Sequence, residues 1–355
     1  MVKEINKKIE KLFSEAIEKK ASDIHVSVGN YPTLRIMGQL YFFSEFGVID
    51  ANDSEEISFA LMREEQKKKF LQNKEIDFSY EFKEKYRFRV NVFIQRGCIS
   101  CSFRFVPTEI ETIEELGLPE ILNVFCNKKQ GLFLVTGPSS HGKSTTLAAM
   151  IEKINQNFFR RIITIEDPIE YVFKDNKSII DQREVYSDTS SFNQALKSIF
   201  RQDPDIIMVG EMRDPETIAT AITAAETGHL VFSTLHTNSA SESIHRIIDS
   251  FPGAQQNQIR SQLATSLLGI LSQRLIPKKG GGLIPACEIL VSNSATANII
   301  RENRVHELDL VIETSSSQGM VSLNKSLVQL IKEDKVEMED ALLYSKNPNE
   351  FKKYF

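Results

Sequence analysis

The stretch from Gly131 to Met150 contains the residues whose types and spacing most directly indicate chemistry. Its centre follows the pattern G-x-x-x-x-G-K-S, which is typical of loops that bind nucleotide phosphates. An apolar run over 132–135 precedes the loop and a helix-forming run follows it, which is the context that this pattern requires. We therefore expect successive backbone N–H groups and a helix N-terminus to bind the polyphosphate of ATP here.

The predicted nucleotide contacts are contiguous along the chain: Gly137, Pro138, Ser139, Ser140, His141, Gly142, Lys143, Ser144 and Thr145. Lys143 supplies a charge to the β- and γ-phosphates, and the Ser144 hydroxyl is a ligand for Mg²⁺. Ser140 is expected to be strained if its position needs a positive φ. The His141 ring is expected either to contact the phosphates or, as the favoured alternative, to point into solvent.

Charged and titratable residues follow three further predicted strands at the points where those strands end. Glu166 follows 162–165, Glu211 follows 206–209, and His236 lies just beyond 230–233. Ligands of parallel sheets bind at the carboxyl ends of the strands. Because ATP hydrolysis needs one carboxylate at the attacking water and another on the Mg²⁺ side, we assign Glu166 as the base and Glu211 as the Mg²⁺-side acid. The reverse assignment stays open.

Two histidines are further candidates for the nucleotide site. His236, in a turn at a strand end, and His229, before that strand, are both expected to sense or contact the γ-phosphate.

Alternating strand and helix patterns predict a mainly parallel α/β domain over residues 119–355. Its predicted helices span 143–154, 192–201, 215–226, 240–249 and 256–273. Residues 106–118, with Pro, Gly and four acids, are interpreted as a linker.

Residues 1–105 read as a smaller α+β domain. It begins with an amphipathic helix over 1–20 that is expected to pack on its own domain, a membrane-surface role being the alternative. A charged helix is predicted over 53–73, with short strands on either side. The last two strands are dense in arginine, and Arg89 and Arg104 are either ordinary solvent-facing charge or positioned to reach a bound phosphate.

Composition favours an ordinary soluble protein of two domains. The chain has 355 residues, a net charge of −5, 41% hydrophobic and 26% charged residues. No global basic field draws it to nucleic acid, and no apolar run approaches a membrane span, so neither nucleic-acid binding nor direct membrane insertion is expected. Cys98 and Cys101 form a C-x-x-C without a second pair, and the four cysteines indicate a reducing, cytoplasmic compartment.

Longer motifs carry a resemblance to the secretion-type ATPases, the RecA-like hexameric motors of type IV pili and type II secretion. The segment 165–170 resembles their Asp box, 203–214 their atypical Walker B, and 223–237 their His box. Within that group the chain is most similar to the PilT type, the pilus retraction ATPases. The segments 21–25, 75–79, 87–91, 210–214 and 246–252 carry this similarity.

The resemblance covers about residues 21 to 330 and implies a PAS-like N-terminal domain, a RecA-like ATPase domain and a ring of six. It also implies Mg²⁺-dependent ATP hydrolysis coupled to pilus retraction and twitching motility. The implied partners are the pilus machinery and an inner-membrane platform protein, with the ring peripheral at the cytoplasmic face of that membrane. Arg89 and Arg104 are then expected to act on the nucleotide, of the same or a neighbouring subunit.

Two departures from the family pattern qualify this function. The loop reads Gly-Pro-Ser-Ser-His-Gly-Lys-Ser-Thr, where the family usually has Gly-Pro-Thr-Gly-Ser-Gly-Lys-Ser-Thr. Ala297 replaces the first arginine of the motif at 295–302, which the family links to retraction. The alternatives are an accessory pilus motor, a type II secretion motor, a RecA-type nucleic-acid motor, and a ring scaffold that binds ATP without hydrolysing it.

Overall fold

The computed structural model describes residues 2–36, 38–83, 86–106, 109–351 and 354, and the side chains of 2–5 and 350 lie outside that description. The chain divides into two compact units. The first comprises Met1–Glu109 with Pro168–Val172, and the second comprises Ile110–Asp167 with Phe173–Phe355.

The first unit is α+β and contains a six-stranded antiparallel sheet, ordered β3-β2-β1-β6-β5-β4. Its elements are α1 (Val2–Glu18), β1 (Asp23–Val26), β2 (Thr33–Ile36), β3 (Gln39–Phe42), α2 (Ala51–Leu61), α3 (Glu64–Asn73), β4 (Glu75–Phe82), β5 (Tyr86–Gln95) and β6 (Cys98–Val106).

The helix α1 packs its apolar face on this unit, as its sequence pattern predicts. Leu12 and Phe13 are fully buried, and the Phe13 ring stacks on Phe88 of β5 with the ring centroids 4.5 Å apart. The helix predicted over 53–73 is instead two helices. Met62 adopts an extended backbone, which ends α2 before α3 begins.

The second unit has the α/β pattern that the sequence predicts. Its elements are α4 (Leu122–Cys126), β7 (Gly131–Thr136), α5 (Lys143–Asn157), β8 (Arg161–Glu166), β9 (Ile179–Glu184), α6 (Phe192–Ile199), β10 (Ile206–Val209), α7 (Pro215–Glu226), β11 (Leu230–Leu235), α8 (Ala240–Asp249), α9 (Gly253–Ser266), β12 (Leu267–Pro277), β13 (Leu283–Val291), α10 (Ser294–Arg301), α11 (Leu308–Thr314), α12 (Leu323–Lys332), α13 (Met338–Tyr344) and α14 (Pro348–Phe351).

Its seven-stranded sheet has the order β13-β12-β7-β11-β10-β8-β9, and all neighbouring pairs are parallel except β12 with β13. The strands β7, β10 and β11 are buried along their whole length, and helices cover the sheet. The four predicted strands are confirmed, and the carboxyl ends of β7, β8, β10 and β11 lie at one edge. This edge positions the candidate site.

The helix predicted over 256–273 is wrong beyond Ser266. From Leu267 the chain forms β12, which pairs in parallel with β7 and antiparallel with β13. A short apolar run such as 267–271 fits a buried strand as well as a buried helix, so periodicity alone does not separate them. The strands β9 and β13 have no counterpart in the sequence prediction.

The segment interpreted as a linker is largely folded. Val106 belongs to β6, and residues 110–118 group with the second unit, where Ile113 and Leu118 are buried. Among the described residues, no helix combines the length and the apolar character needed to cross a membrane.

Candidate active site

The predicted phosphate-binding loop connects the buried strand β7 to α5, and its shape depends on glycine. Gly142 caps α5 with a φ of 79°, in the left-handed region. Gly137 has a φ of 146°, and a Cβ there would lie 2.3 Å from the backbone oxygen of Gln273. A side chain at Gly137 would therefore displace either the loop or the neighbouring strand β12.

Ser140 adopts a φ of 64°, which confirms that its position needs the left-handed conformation. A non-glycine residue in this region is strained by about 1–2 kcal/mol. Such strain persists only where neighbouring contacts hold the backbone in place.

Lys143 is the first residue of α5 and is buried, with 7% of its surface exposed. Its ammonium donates hydrogen bonds to the carbonyl oxygens of Gly137 at 2.9 Å and Pro138 at 2.8 Å. The charge is therefore held inside the curve of the loop. Ser144 and Thr145 follow in the first turn of α5, and both are half-buried.

A chain of polar contacts joins the ends of β10 and β11 to the loop. His236, after β11, lies with Nε2 3.4 Å from a Glu211 carboxylate oxygen and with Nδ1 3.2 Å from Ser139 Oγ. The other Glu211 oxygen accepts a hydrogen bond from Arg213 Nε at 2.8 Å. The structure thus brings three of the predicted site residues, Glu211, His236 and Ser139, into direct contact.

Glu166 ends β8 and is buried, with 6% of its surface exposed. Its Oε1 accepts hydrogen bonds from Thr164 Oγ1 at 2.6 Å and from Gln182 Nε2 at 3.1 Å. Gly210 brings the end of β10 close to it, because a Cβ at that glycine would lie 3.4 Å from the Glu166 Cα. The two candidate carboxylates therefore follow neighbouring strands of the same sheet edge.

His229 lies at the opposite edge of the sheet. Its carbonyl accepts a hydrogen bond from Gly131 N–H, where β7 begins, and its ring packs edge-on against Phe200. The six residues of β11 separate it from His236, and a strand of this length spans about 20 Å at 3.3 Å per residue. His229 therefore lies away from the loop of its own chain, and its contact with a γ-phosphate stays a prediction. The sequence motif alone does not separate the two histidines, because their different positions follow from the direction of the strand between them.

His141 neither points freely into solvent nor is held towards the phosphate site by the contacts described. Leu275 N–H of β12 donates to its Nδ1 at 2.8 Å, and Gln273 Nε2 donates to its carbonyl oxygen at 2.8 Å. Burial lowers the pKa of the ring, and the charges of Arg274 and Lys143 lower it further. The ring is thus an anchor between the loop and the sheet.

Gln273 is a site residue that the sequence prediction missed, because the segment was assigned to a helix. It is buried, and its Oε1 accepts from Thr146 Oγ1 of α5 at 2.7 Å while its Nε2 donates to His141. One side chain therefore fixes both the loop and the helix that follows it. No sequence motif marks this glutamine, which stands between Ser272 and Arg274.

Arg89 and Arg104 belong to the first unit, where they are direct cross-strand partners on β5 and β6. Arg104 Nε donates to Asp23 Oδ1 at 2.9 Å, and Arg35 Nε lies 3.9 Å from the other Asp23 oxygen. Burial opposes ionisation of Asp23, but hydrogen bonds from Arg104 and Ser22 outweigh it and lower the pKa of the carboxyl. The arginines thus form part of a charged row on one face of the sheet.

The donor set at the carboxyl edge suits a hard divalent cation. The Ser144 hydroxyl and the half-buried carboxylate of Glu211 are oxygen donors, which Mg²⁺ prefers. Among the described residues no group of three or more His, Cys, Asp or Glu is arranged to hold a metal ion by itself.

Comparison with known proteins defines the class. Residues 2–346 match the family model described as type II/IV secretion system protein, and the chain belongs to this family. Its fold, with a RecA-like unit, matches a crystal structure of the pilus retraction motor PilT with bound ADP. That match has a TM-score of 0.90 and 48% identity and covers 97% of this chain and 98% of that one.

Two curated relatives narrow the comparison. The type IV pilus retraction ATPase PilT of Pseudomonas aeruginosa is 42% identical over 343 residues, covering 97% of this chain and 99% of that protein. The type IV pilus ATPase PilU of the same organism is 38% identical, covering 97% of this chain and 90% of that protein. The chain is therefore a homologue of pilus ATPases over nearly its whole length.

Proposed function

We propose that this chain hydrolyses Mg-ATP and uses the energy to retract type IV pili, acting as a homohexamer. The observation that carries the proposal is the contact chain from Glu211 through His236 to Ser139, which joins two strand ends to the phosphate-binding loop. Similarity over nearly full length to the P. aeruginosa retraction ATPase gives the direction of the work. The proposed partners are the pilus machinery and an inner-membrane platform protein, at the cytoplasmic face of that membrane.

In this proposal the loop N–H groups from Gly137 to Thr145 hold the β- and γ-phosphates. The Lys143 ammonium, held within the loop, faces the phosphoryl group in transfer and stabilises its charge. The Ser144 hydroxyl and Glu211, directly or through water, would hold Mg²⁺. This ion supplies neutralisation of the negative charge on the phosphates.

Glu166 is proposed to take the proton of the attacking water, because its carboxylate is buried and fixed at the end of β8. Two hydrogen bonds orient it, from Thr164 and Gln182. The contact of Glu211 with His236 supports the reverse assignment, since it connects Glu211 to the loop. In either case one acid acts on water and the other on the cation side.

Arg89 and Arg104 are proposed to stabilise the phosphoryl group of a nucleotide during transfer. Their support is chemical, because two arginines side by side on a sheet face present planar donor groups suited to phosphate oxygens. Rings of subunits place one subunit's flank beside the next subunit's site, so the nucleotide served is proposed to belong to the same or a neighbouring chain.

The test in cells is pilus length and twitching motility in a strain that lacks this chain. The expected result is a strain with excess, immobile pili. Wild-type protein should correct this defect, and Lys143→Ala protein should not. Absent pili would instead assign the chain to pilus assembly and overturn the retraction proposal.

A second candidate is an accessory pilus motor, which Ala297 favours because it departs from the motif that the family links to retraction. Ala297 is a half-buried residue that packs on the core of the second unit, where the family motif has an arginine. A strain that still retracts pili slowly without this chain supports the accessory role. Complete loss of retraction excludes it.

A further inference from the structure

His141 is held to the sheet of the second unit through both its ring and its backbone. Leu275 N–H donates to the ring Nδ1 at 2.8 Å, and the Gln273 side chain donates to the His141 carbonyl at 2.8 Å. Both donors belong to β12, which pairs with β7 on one side and β13 on the other. Because β12 has a partner on each side, it offers the loop a fixed support.

The ring must be neutral to make this contact. A nitrogen that accepts from an N–H group carries no proton itself, so the proton of neutral His141 lies on Nε2. The neighbouring cations are Arg274 of β12 and Lys143 of α5. Together with burial they lower the pKa of the ring, which keeps Nδ1 available as an acceptor near neutral pH.

Ser140, the residue before His141, has a strained backbone that this support can stabilise. Ser140 has a φ of 64°, a conformation that glycine adopts freely and serine does not. Without an anchor, the strained backbone would relax into other conformations. A loop that spends only part of its time in the phosphate-binding shape binds with an affinity reduced by that fraction.

We propose that His141 is a positioning residue that holds the loop on β12, offsets the strain at Ser140 and thereby raises the affinity for nucleoside polyphosphates. This inference rests on the proposed function, because it requires that the loop binds nucleotide. The two unusual loop residues are then coupled: Ser140 introduces backbone strain, and His141 stabilises the strained conformation.

Two amide replacements distinguish the effect of the hydrogen-bond acceptor at Nδ1 from the effect of the size of the ring. In His141→Asn an amide oxygen occupies the position of Nδ1, whereas in His141→Gln it occupies the position of Nε2. His141→Ser removes the acceptor altogether. The exposed His245 of α8 provides the control His245→Ser, which carries the same chemical change away from the loop.

The measurement is the dissociation constant for a fluorescent ADP analogue, mant-ADP, together with kcat and KM for ATP, all on the full chain at pH 7.5. His141→Gln and His141→Ser should weaken mant-ADP binding about two- to tenfold, the range expected for one hydrogen bond. KM should rise by a similar factor while kcat at saturating ATP changes little, because bound nucleotide restores the loop. His141→Asn and His245→Ser should stay close to wild type.

A second set of variants tests the link to strain. Glycine in Ser140→Gly removes the penalty on the left-handed conformation, so His141→Ser should weaken binding less in this background than in wild type. If His141→Ser weakens mant-ADP binding equally in the wild-type and Ser140→Gly backgrounds, the proposed coupling between Ser140 and His141 is wrong.

The two hypotheses fail differently. Wild-type protein that does not bind mant-ADP contradicts the proposed function and this inference together. If wild-type protein binds mant-ADP and the three His141 variants bind it with the same affinity as wild type, only the role of His141 is contradicted. If His141→Ser does not fold, the comparison of Asn with Gln still decides, since both carry the same amide group and only Asn places its oxygen at the position of Nδ1.

Discussion

The strand β11 carries a histidine near each of its ends, and their surroundings differ completely. His236, past the carboxyl end, lies between Glu211, which follows β10, and Ser139, which belongs to the loop before α5. His229, before the amino end, contacts the Ala224 carbonyl and packs on Phe200. The two residues share one sequence motif, yet they contact different parts of the chain. Strand direction, rather than closeness in sequence, decides which polar residues meet at the loop.

Between the two edges of the sheet, the largest difference in turnover is expected for their acidic residues. Glu166→Gln should retain Mg-ATP and lose hydrolysis by about 10²–10⁴-fold, because the amide keeps the shape and takes no proton. Glu226→Gln is the matched control, since Glu226 ends α7 close to the amino edge and accepts from Gln262. Turnover and ATP affinity are measured in parallel. If Glu211→Gln loses turnover in this way and Glu166→Gln stays active, the two roles are reversed.

A second prediction concerns the arginines of the first unit. Arg89→Ala or Arg104→Ala should lower turnover at least about tenfold, since an arginine that stabilises the transferring phosphoryl group is worth about 10³–10⁵ in rate. Nucleotide affinity and the mass of the assembly in solution should persist. Lys67→Ala removes a half-buried charge of the same unit, which pairs with Glu64 on α3, and serves as control. Full turnover in both arginine variants would leave them as ordinary surface charge.

The two histidines themselves give a smaller effect. His236→Ala should lower kcat by about two- to tenfold, because it removes hydrogen-bonding contacts to Glu211 and Ser139. His229→Ala should leave the kcat of ATP hydrolysis within experimental scatter. A comparable loss in both would mean that the amino edge also takes part in hydrolysis, and the contrast between the edges would be wrong.

The smallest effect is a pH dependence of stability at His141. Its pKa lies below the ordinary value of 6.5 in the folded protein, so the unfolded chain takes up this proton first as the pH falls. The contribution of His141 to the free energy of unfolding is therefore full above pH 6.5 and is lost as the pH falls through the lowered pKa. Urea unfolding from pH 7.5 to 5.5 should show this loss relative to His141→Asn, which does not titrate. Parallel profiles for the two proteins would contradict it.

Much of the second unit follows from sequence because its strands are short apolar runs that end in polar residues. The strands β7, β8, β10 and β11 and the helix α7 lie where the pattern predicts them. The edge strand β9 is only partly buried, and its polar residues hide it. The strand β12 continues directly from α9 without a break signal, so its partners rather than its composition define it.

The site was predictable to the extent that motifs and strand ends mark it. Lys143, Glu166, Glu211 and His236 all meet this condition. The support from Gln273 and the anchoring of His141 come from β12, more than 130 residues further along the chain, and local patterns do not report such pairings. The roles assigned to the acids and arginines stay predictions until the variants above are measured.

We expect nucleotide chemistry to occur at the carboxyl edge of the sheet, around the buried ammonium of Lys143. ATP turnover by Lys143→Ala tests it most directly, with Lys153→Ala on the exposed part of the same helix as control and thermal melting as the check on folding. Turnover should fall to background in Lys143→Ala, because the charge that stabilises the phosphoryl group is gone, while Lys153→Ala should stay active. Near wild-type turnover in folded Lys143→Ala protein would contradict it.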